Sequence, residues 1–236
     1  MTGNSTMMIE TLKNFGKPFF DILYELPPEL IKRVESILLE ELRRELGYLN
    51  LAKLVWNVKK EIARLKDVSW PNLNPDQTIS LIHFYDAVKK TALIKKLADM
   101  AGMEAATGVH RRLFDRIGHD LIRAMFPSVD EFRACGDVFT GLKKYCRAAG
   151  EANIRAGTHV VEIVEQGQNT FIFRVRFCFL QAMANEAGDS YLCYPSSCSA
   201  DEMFFPGVCK QAGIAFGRDG TLATGEPSCD FVFSRD

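Results

Sequence analysis

The sequence predicts an α+β protein in which an N-terminal helical layer packs on a C-terminal antiparallel sheet. Apolar residues recur at three-and-four spacing through roughly the first 150 positions, and the period changes to two after Gly150. Helices followed by strands is the order expected of an α+β fold, rather than of alternating β-α-β units. With 236 residues, 47% of them hydrophobic, the chain can bury a substantial core.

Amphipathic periodicity predicts five helices in the first part of the chain. A capping box of Ser128 and Glu131 marks the start of the fifth helix, and Asn74-Pro75-Asp76 offers a capping start for the third. The predicted ranges are 28–46, which Gly47 closes, then 50–66, 76–102, 103–126 and 128–147.

The remainder of the chain is predicted to be mainly strand. Residues 158–165 and 169–177 alternate around Gln166-Gly167-Gln168, which predicts a hairpin. Residues 178–187 return to helical spacing, with Gly188 as the stop. Short strands are then expected over 214–216, 220–223 and 229–233, joined by turns rich in Gly, Asp and Pro.

Composition limits the partners. The net charge of -1 and the pI near 6.4 provide no basic field for nucleic acid, so none is expected as a partner. The chain has neither a secretory start nor a run of about 18 uncharged apolar residues, so we expect a cytoplasmic protein without a membrane partner. Residues 1–70 are expected to form a helical extension of one α+β unit over 71–236, and a homo-oligomer remains open.

Cysteine is concentrated near the end of the chain. Five of the seven cysteines follow residue 177, and the odd count argues against a disulfide framework. Reduced thiols serve in packing, metal binding or catalysis. Zinc sites usually contain two closely spaced Cys pairs. Because Cys193 and Cys198 are too far apart in sequence to be one and no second pair exists, no cofactor is expected. A Cys-bound divalent metal is the alternative.

Three short motifs stand in order in the last sixty residues. They are Arg176-Phe177-Cys178 at a strand-to-helix junction, Cys198-Ser199-Ala200-Asp201 in a loop before Glu202, and Thr221-Leu222-Ala223-Thr224-Gly225 followed by Cys229-Asp230-Phe231. With these motifs, residues 100 to 235 resemble the L-2-amino-thiazoline-4-carboxylic acid hydrolase family, whose namesake opens a 2-aminothiazoline ring to N-carbamoyl-cysteine. The resemblance implies a hydrolase of a small cyclic amidine, with Cys178, Cys198, Asp201, Cys229 and Asp230 at its site.

The chemistry of ring opening favours a thiol beside a carboxyl group. The amidine carbon becomes electrophilic when its nitrogen is protonated, so the enzyme needs a nucleophile and a proton shuttle. Cys198 is the predicted nucleophile and Asp201 its acid/base partner, because a helix beginning near Asp201 would lower the pKa of the thiol. The alternatives are an Asp201 that only caps this helix and a Cys178 and Cys229 that only pack in the core.

The expected substrate pocket lies between the helices of 76–147 and the sheet. Arg176 is the candidate partner for a substrate carboxylate, since an arginine can bind it through two hydrogen bonds. The other candidate binding residues are Cys229, Asp230, Phe204, Phe205, His83 and Tyr85. His83 also fits a core histidine, and His159 could face either side of the sheet.

Two other functions fit the same layout. The helices followed by a sheet with late cysteines also resemble, more loosely, the 4-vinyl reductase sensor domains, which bind small molecules or metal without turnover. A cyclase or isomerase could use the same pocket. Likeness of fold does not decide among these functions.

Overall fold

The computed structural model describes residues 10–67 and 81–235, and within these ranges it has the predicted α+β architecture. The helices are α1 (Phe19–Tyr24), α2 (Pro28–Lys66), α3 (Leu81–Ala101), α4 (Met103–Met125), α5 (Val129–Ala134), α6 (Val138–Arg155), α7 (Phe179–Glu186) and α8 (Ser199–Gln211). The strands are β1 (His159–Glu165), β2 (Thr170–Cys178), β3 (Ala215–Gly217) and β4 (Cys229–Ser234). The predicted capping start at 74–76 and the expected domain boundary near residue 70 lie outside the described residues.

The helical layer is built around α2, which packs against α3 and α4. Leu54 of α2, Leu97 of α3 and Val109 of α4 are fully buried together. The two helices predicted around Gly47 form one element with a kink, because Gly47 has a φ of 71° and the helix resumes directly after it. Glycine tolerates this conformation without strain, so it redirects the helix here instead of ending it.

The predicted helix over 128–147 is wrong as a single element. Its start is correct, since the Ser128 hydroxyl accepts from the Glu131 N–H at 3.2 Å and the Glu131 carboxylate accepts from the Ser128 N–H at 2.7 Å. Gly136 then adopts a φ of 114° and ends α5. Asp137 begins α6 by accepting from the Thr140 N–H at 3.0 Å, so a second cap was hidden within the apolar pattern.

The sheet has the order β1-β2-β4-β3, with all neighbours antiparallel. The predicted hairpin of β1 and β2 is confirmed. The inner face of the sheet carries an aromatic cluster in which the Phe171 and Phe233 rings stack at 4.8 Å and Phe205 of α8 meets Phe233 edge-on. This cluster joins the sheet to the helices.

The strand predicted over 220–223 is wrong. Leu222–Thr224 is a short 3₁₀ turn that the Thr221 side chain caps. Gly225 follows with a φ of 93°, a left-handed conformation that ends the turn before β4. The alternation that suggested a strand was too short to distinguish it from a capped turn.

Candidate active site

A β-bulge lies next to the strand end that carries Cys178. Val161 of β1 lies opposite Val175 of β2, but the next residue back, Val160, lies opposite Phe177. Arg176 is therefore one extra residue in β2. Such an insertion interrupts the alternation of side chains between the two faces of a sheet.

The extra residue brings Cys178 to the inner face. If β2 paired regularly, without the bulge, Cys178 would lie on the opposite face from Val175, since the two positions are three apart. With it, Cys178 shares a face with Val175 and also with His159, its partner on β1, and with Cys229, the partner of Val175 on β4. The bulge thus assembles one imidazole and two thiols on a single surface.

Cys178 is half-buried and stands immediately before α7. A hydrogen bond from the Cys193 thiol, together with the nearby His159 imidazole and the main-chain N–H of Gln181, holds the pKa of Cys178 well below its ordinary value despite burial. The pKa of Cys193 is raised correspondingly, because this thiol donates to Cys178 and is buried. Of the two thiols, Cys178 is therefore the one whose surroundings favour the charged form.

A π-helical turn over Tyr194–Cys198 brings a third cysteine to this point. The Sγ atoms of Cys193 and Cys198 lie 3.9 Å apart, and Ser199 Oγ donates to the Pro195 carbonyl at 2.8 Å across the turn. Wide turns of this kind often occur at functional sites. Cys178, Cys193 and Cys198, here called the thiol cluster, thus lie in a row in which each thiol interacts with the next.

Arg218 connects the thiol cluster to two carboxylates of α8. Its side chain is 1% exposed, and it donates to Asp201 Oδ2 at 2.8 Å, to Glu202 Oε1 at 2.9 Å and to the Cys198 carbonyl at 2.6 Å. Glu202 also accepts from the Tyr194 hydroxyl at 2.8 Å. A buried cation with fixed acceptors holds the first turn of α8 against the π-turn.

Asp201 has a proton affinity suited to acid/base chemistry. Burial raises the pKa of its carboxyl group to about 7, with smaller contributions from the negative charges of Cys178 and Glu202, although Arg218 opposes this effect. The side chain is still 32% exposed, so it can exchange protons with solvent. A carboxyl with a pKa near neutrality can both donate and accept a proton at physiological pH.

The Cys229 thiol is buried and serves a structural role. Its Sγ accepts from the Leu222 N–H at 3.2 Å, and burial raises the pKa of its thiol to about 12. The protonated thiol holds the turn that Thr221 caps against the start of β4. Cys229 faces the thiol cluster but remains neutral.

Arg176 and Asp230, both predicted to bind substrate, lie apart from the thiol cluster. Asp230 is adjacent to Cys229 in β4 and so points to the other face, where it accepts from Arg174 Nη2 at 2.6 Å. Arg176 donates to Glu162 Oε1 at 2.8 Å on the same outer face. These side chains form a charged ladder across three strands.

The predicted aromatic lining is also dispersed. Phe204 contacts the Phe114 ring edge-on at 5.4 Å, whereas Phe205 belongs to the aromatic cluster on the sheet. Tyr85 is 40% exposed on α3 and receives Lys66 over its ring at 4.7 Å. The contacts described for these three rings are thus with residues outside the thiol cluster.

His83 lies in the core, where only one of its two ring nitrogens has a partner. Its side chain is buried, and its Nε2 lies 2.8 Å from Asp21 Oδ1. Nδ1 is buried without a hydrogen-bond partner, a rare state for a polar atom. The Phe20 ring lies between His83 and His159, at 5.4 and 6.3 Å.

Sequence reasoning missed four residues of this site: Cys193, His159, Glu202 and Arg218. Cys193 was noticed only as an extra cysteine. The face occupied by His159 depends on the bulge, which periodicity does not reveal. Arg218 lies in one of the predicted turns, 17 residues beyond Asp201, and no sequence motif marks it as the partner of that carboxylate.

The described residues contain no group of three His, Cys, Asp or Glu side chains arranged to hold a metal ion. A cavity of about 350 Å³ lies elsewhere, between α2 and α3. Its lining residues are Asn57, Lys60, Glu61, Arg64, Lys96, Asp99 and Met100, none of which belongs to the thiol cluster.

Comparison with known proteins agrees with the motifs. The family model for L-2-amino-thiazoline-4-carboxylic acid hydrolase matches residues 81–233, which include all of the elements that build the site. No curated protein and no solved structure matches the chain significantly. Because the family model covers more than half of the sequence, the chain belongs to the L-2-amino-thiazoline-4-carboxylic acid hydrolase family.

Proposed function

We propose that this protein hydrolyses a small cyclic amidine of the 2-aminothiazoline-carboxylate type, with Cys178 as nucleophile and Asp201 as acid/base. One observation carries the proposal. The thiol with the lowered pKa and the carboxyl with a pKa of about 7 lie close enough for their charges to interact. Such a pair supplies a nucleophile and a proton shuttle together.

In the first step, the Cys178 thiolate attacks the amidine carbon of the protonated ring. A carbon–sulfur bond to the enzyme forms, and the ring carbon–sulfur bond breaks. The departing substrate sulfur takes the proton of Asp201, which is available because the carboxyl is partly protonated near neutrality. The product is an S-linked isothiourea on Cys178 and an open substrate thiol.

In the second step, water attacks the isothiourea carbon and gives a proton to the Asp201 carboxylate. Collapse of the tetrahedral adduct breaks the bond to Cys178, the adduct hydroxyl releases its proton to solvent, and a urea group is left on the product. Cys178 departs as thiolate because its surroundings favour the charged form, and a thiol of low pKa is a good leaving group. The cycle restores both groups to their starting states.

The choice of Cys178 over Cys198 rests on surroundings. Cys178 is half-buried and receives the Cys193 thiol, whereas Cys198 is buried with its carbonyl held by Arg218. Each of the two cysteines precedes a helix, α7 and α8 respectively, so that position does not distinguish them. Cys198 then has a positioning role, because it fixes Cys193 from the side away from Cys178. The sequence motif alone favoured Cys198, so the two assignments make different predictions.

The test compares Cys178→Ala, Cys198→Ala and the control Cys135→Ala, which removes a half-buried cysteine between α5 and α6. Ring-opened product from 2-aminothiazoline-4-carboxylate is measured by mass spectrometry. Cys178→Ala should lose at least about 100-fold in kcat, whereas the control should keep nearly full activity. Rapid quench of the wild-type protein should trap a covalent adduct on the peptide that contains Cys178.

If Cys178→Ala kept normal activity and Cys198→Ala were inactive, Cys198 would be the nucleophile instead. Substrate that binds stoichiometrically and is recovered unchanged from the wild-type protein would remove the hydrolase proposal and favour a sensor.

A further inference from the structure

The second half of α2 has an apolar stripe that residues 10–67 and 81–235 leave uncovered. Leu54 and Leu65 of this segment are buried against the helical layer. On another side of the same helix, Tyr48 is 74% exposed, Leu49 82%, Val55 47% and Trp56 61%. Large apolar side chains are individually common at surfaces, but four of them within three turns form a continuous patch.

Helical geometry places these four residues together. Residues 48, 52 and 55 are separated by four and three positions, as are 49, 52 and 56, so all flank the small Ala52 on one side of the helix. The kink at Gly47 begins the stripe, since it sets the direction of α2 from Tyr48 onward. We call residues 48, 49, 52, 55 and 56 the α2 ridge.

The charge around the ridge differs from that of the whole chain. Between residues 48 and 66 the sequence has five basic residues, all exposed: Lys53, Lys59, Lys60, Arg64 and Lys66. The single acidic residue in this segment, Glu61, is 6% exposed and is neutralised by Arg64 at 2.6 Å and Lys96 at 3.1 Å. A strongly basic border thus lies on a chain whose net charge is -1.

Cations also lie directly over the exposed rings. Lys60 Nζ is 5.1 Å from the centre of the Trp56 ring, and Arg43 lies 5.4 Å from that of Tyr48 while donating to its hydroxyl at 3.1 Å. Aromatic rings with polar edges beside long cationic side chains are typical of residues at the boundary between lipid headgroups and acyl chains.

We propose that the α2 ridge docks on an anionic lipid surface, with its apolar side chains at the headgroup boundary and the basic border against the lipid phosphates. Helices that lie in the plane of a membrane combine Trp and Leu on one side with flanking Lys and Arg. No described helix is both long enough and apolar enough to cross a bilayer, so the contact is peripheral.

Charge complementarity selects this occupant over a second copy of the chain. A two-fold pairing of the ridge would bring the five basic residues of one protomer close to the same five of the other, which costs free energy. An acidic protein would satisfy the charges, but exposed Trp and Leu side chains on one side of a helix flanked by lysines match what a lipid headgroup boundary binds. The ridge also lies outside residues 81–233, so this proposal does not depend on the hydrolase proposal.

The experiment uses the full chain and vesicles of phosphatidylcholine, with or without about one third phosphatidylglycerol. Partitioning is measured by co-sedimentation. A Trp70→Phe background leaves Trp56 as the only tryptophan, so a blue shift of its emission reports entry into the headgroup region. The test variant is Lys53→Gln/Lys59→Gln/Lys60→Gln, and the matched control Lys89→Gln/Lys144→Gln/Lys210→Gln removes three exposed lysines elsewhere.

Wild-type protein and the control should bind the anionic vesicles and not the neutral ones. Each lysine near an anionic surface contributes about fivefold to partitioning, so the test variant should bind roughly 100-fold more weakly. Trp56→Ser should also weaken binding while leaving the circular dichroism spectrum unchanged, because the side chain is exposed.

Equal binding to neutral vesicles, equal loss in both triple variants, or no binding at all would each overturn the proposal. A concentration-dependent dimer that Trp56→Ser abolishes, in protein that ignores vesicles, would identify a second copy as the occupant instead. If an acidic protein bound the α2 ridge while the protein did not bind vesicles, that result would also overturn the proposal.

Discussion

Replacing Asp201 by asparagine should change how folding stability depends on pH. The pKa of Asp201 is raised by burial from 3.8 to about 7, so the folded state binds its proton more tightly than the unfolded state does. Between about pH 4 and 7 the folded protein therefore holds more protons, and the free energy of unfolding falls as pH rises through this window. Asparagine does not titrate, so the variant should lack this part of the slope.

The size of the effect follows from the same pKa. The difference between 3.8 and about 7 corresponds to about 4 kcal/mol at about 1.4 kcal/mol for each pKa unit. Because the side chain is 32% exposed, solvent screening reduces this value, and we expect roughly 1–3 kcal/mol. Loss of the ion pair with Arg218 shifts the stability of the variant at neutral pH, but it leaves the contrast in slope detectable.

The assay is urea unfolding of both proteins at several pH values from 4 to 8. The free energy of unfolding of the wild type, relative to Asp201→Asn, should fall across this range and level off above about pH 7. Asp137→Asn is the control with the opposite sign, since Thr140 and Arg235 lower the pKa of Asp137 and its stabilisation is lost as pH falls. Parallel curves for wild type and Asp201→Asn would refute the raised pKa and weaken its role as proton shuttle.

Two further predictions concern packing and the thiolate. A Cβ on Gly118 would lie 2.4 Å from Phe204 Cε1, so Gly118→Ala should destabilise the protein by about 1–3 kcal/mol in thermal unfolding. The control Gly207→Ala, which has open space around its Cβ, should be neutral or stabilising by up to about 1 kcal/mol. Cys193→Ala removes the hydrogen bond that Cys178 accepts, so the pH midpoint for alkylation of Cys178 by iodoacetamide should rise; an unchanged midpoint would contradict the assigned donor.

The helical layer and the hairpin were predictable because both arise from local periodicity. The apolar spacing predicted the long helices, and alternation around Gly167 predicted β1 and β2. The split at Gly136 was missed because a capping Asp137 resembles any other polar position in an amphipathic pattern. Errors therefore occur where one residue changes the backbone direction without changing the period.

The sequence indicated which residue types form the candidate site, but it revealed less about how they are arranged. Sequence motifs selected Cys178, Cys198 and Asp201, which do lie near one another. Period two alone separates Cys229 from Asp230, since adjacent residues of a strand face opposite sides, and this signal was overlooked. By contrast, Arg218 reaches the site from a distant turn, and only the folded chain reveals that contact.

The bulge at Arg176 makes the pairing register of β2 more important than side-chain identity between Val175 and Cys178. Substituting Arg176 would remove an ion pair on the outer face, which is a small loss. If β2 instead paired regularly, with Arg176 opposite Val160 and Phe177 opposite His159, Cys178 would turn away from His159 and Cys193 to the solvent side of the sheet. The nucleophile would still be present in the sequence, yet it would face the wrong compartment of the molecule.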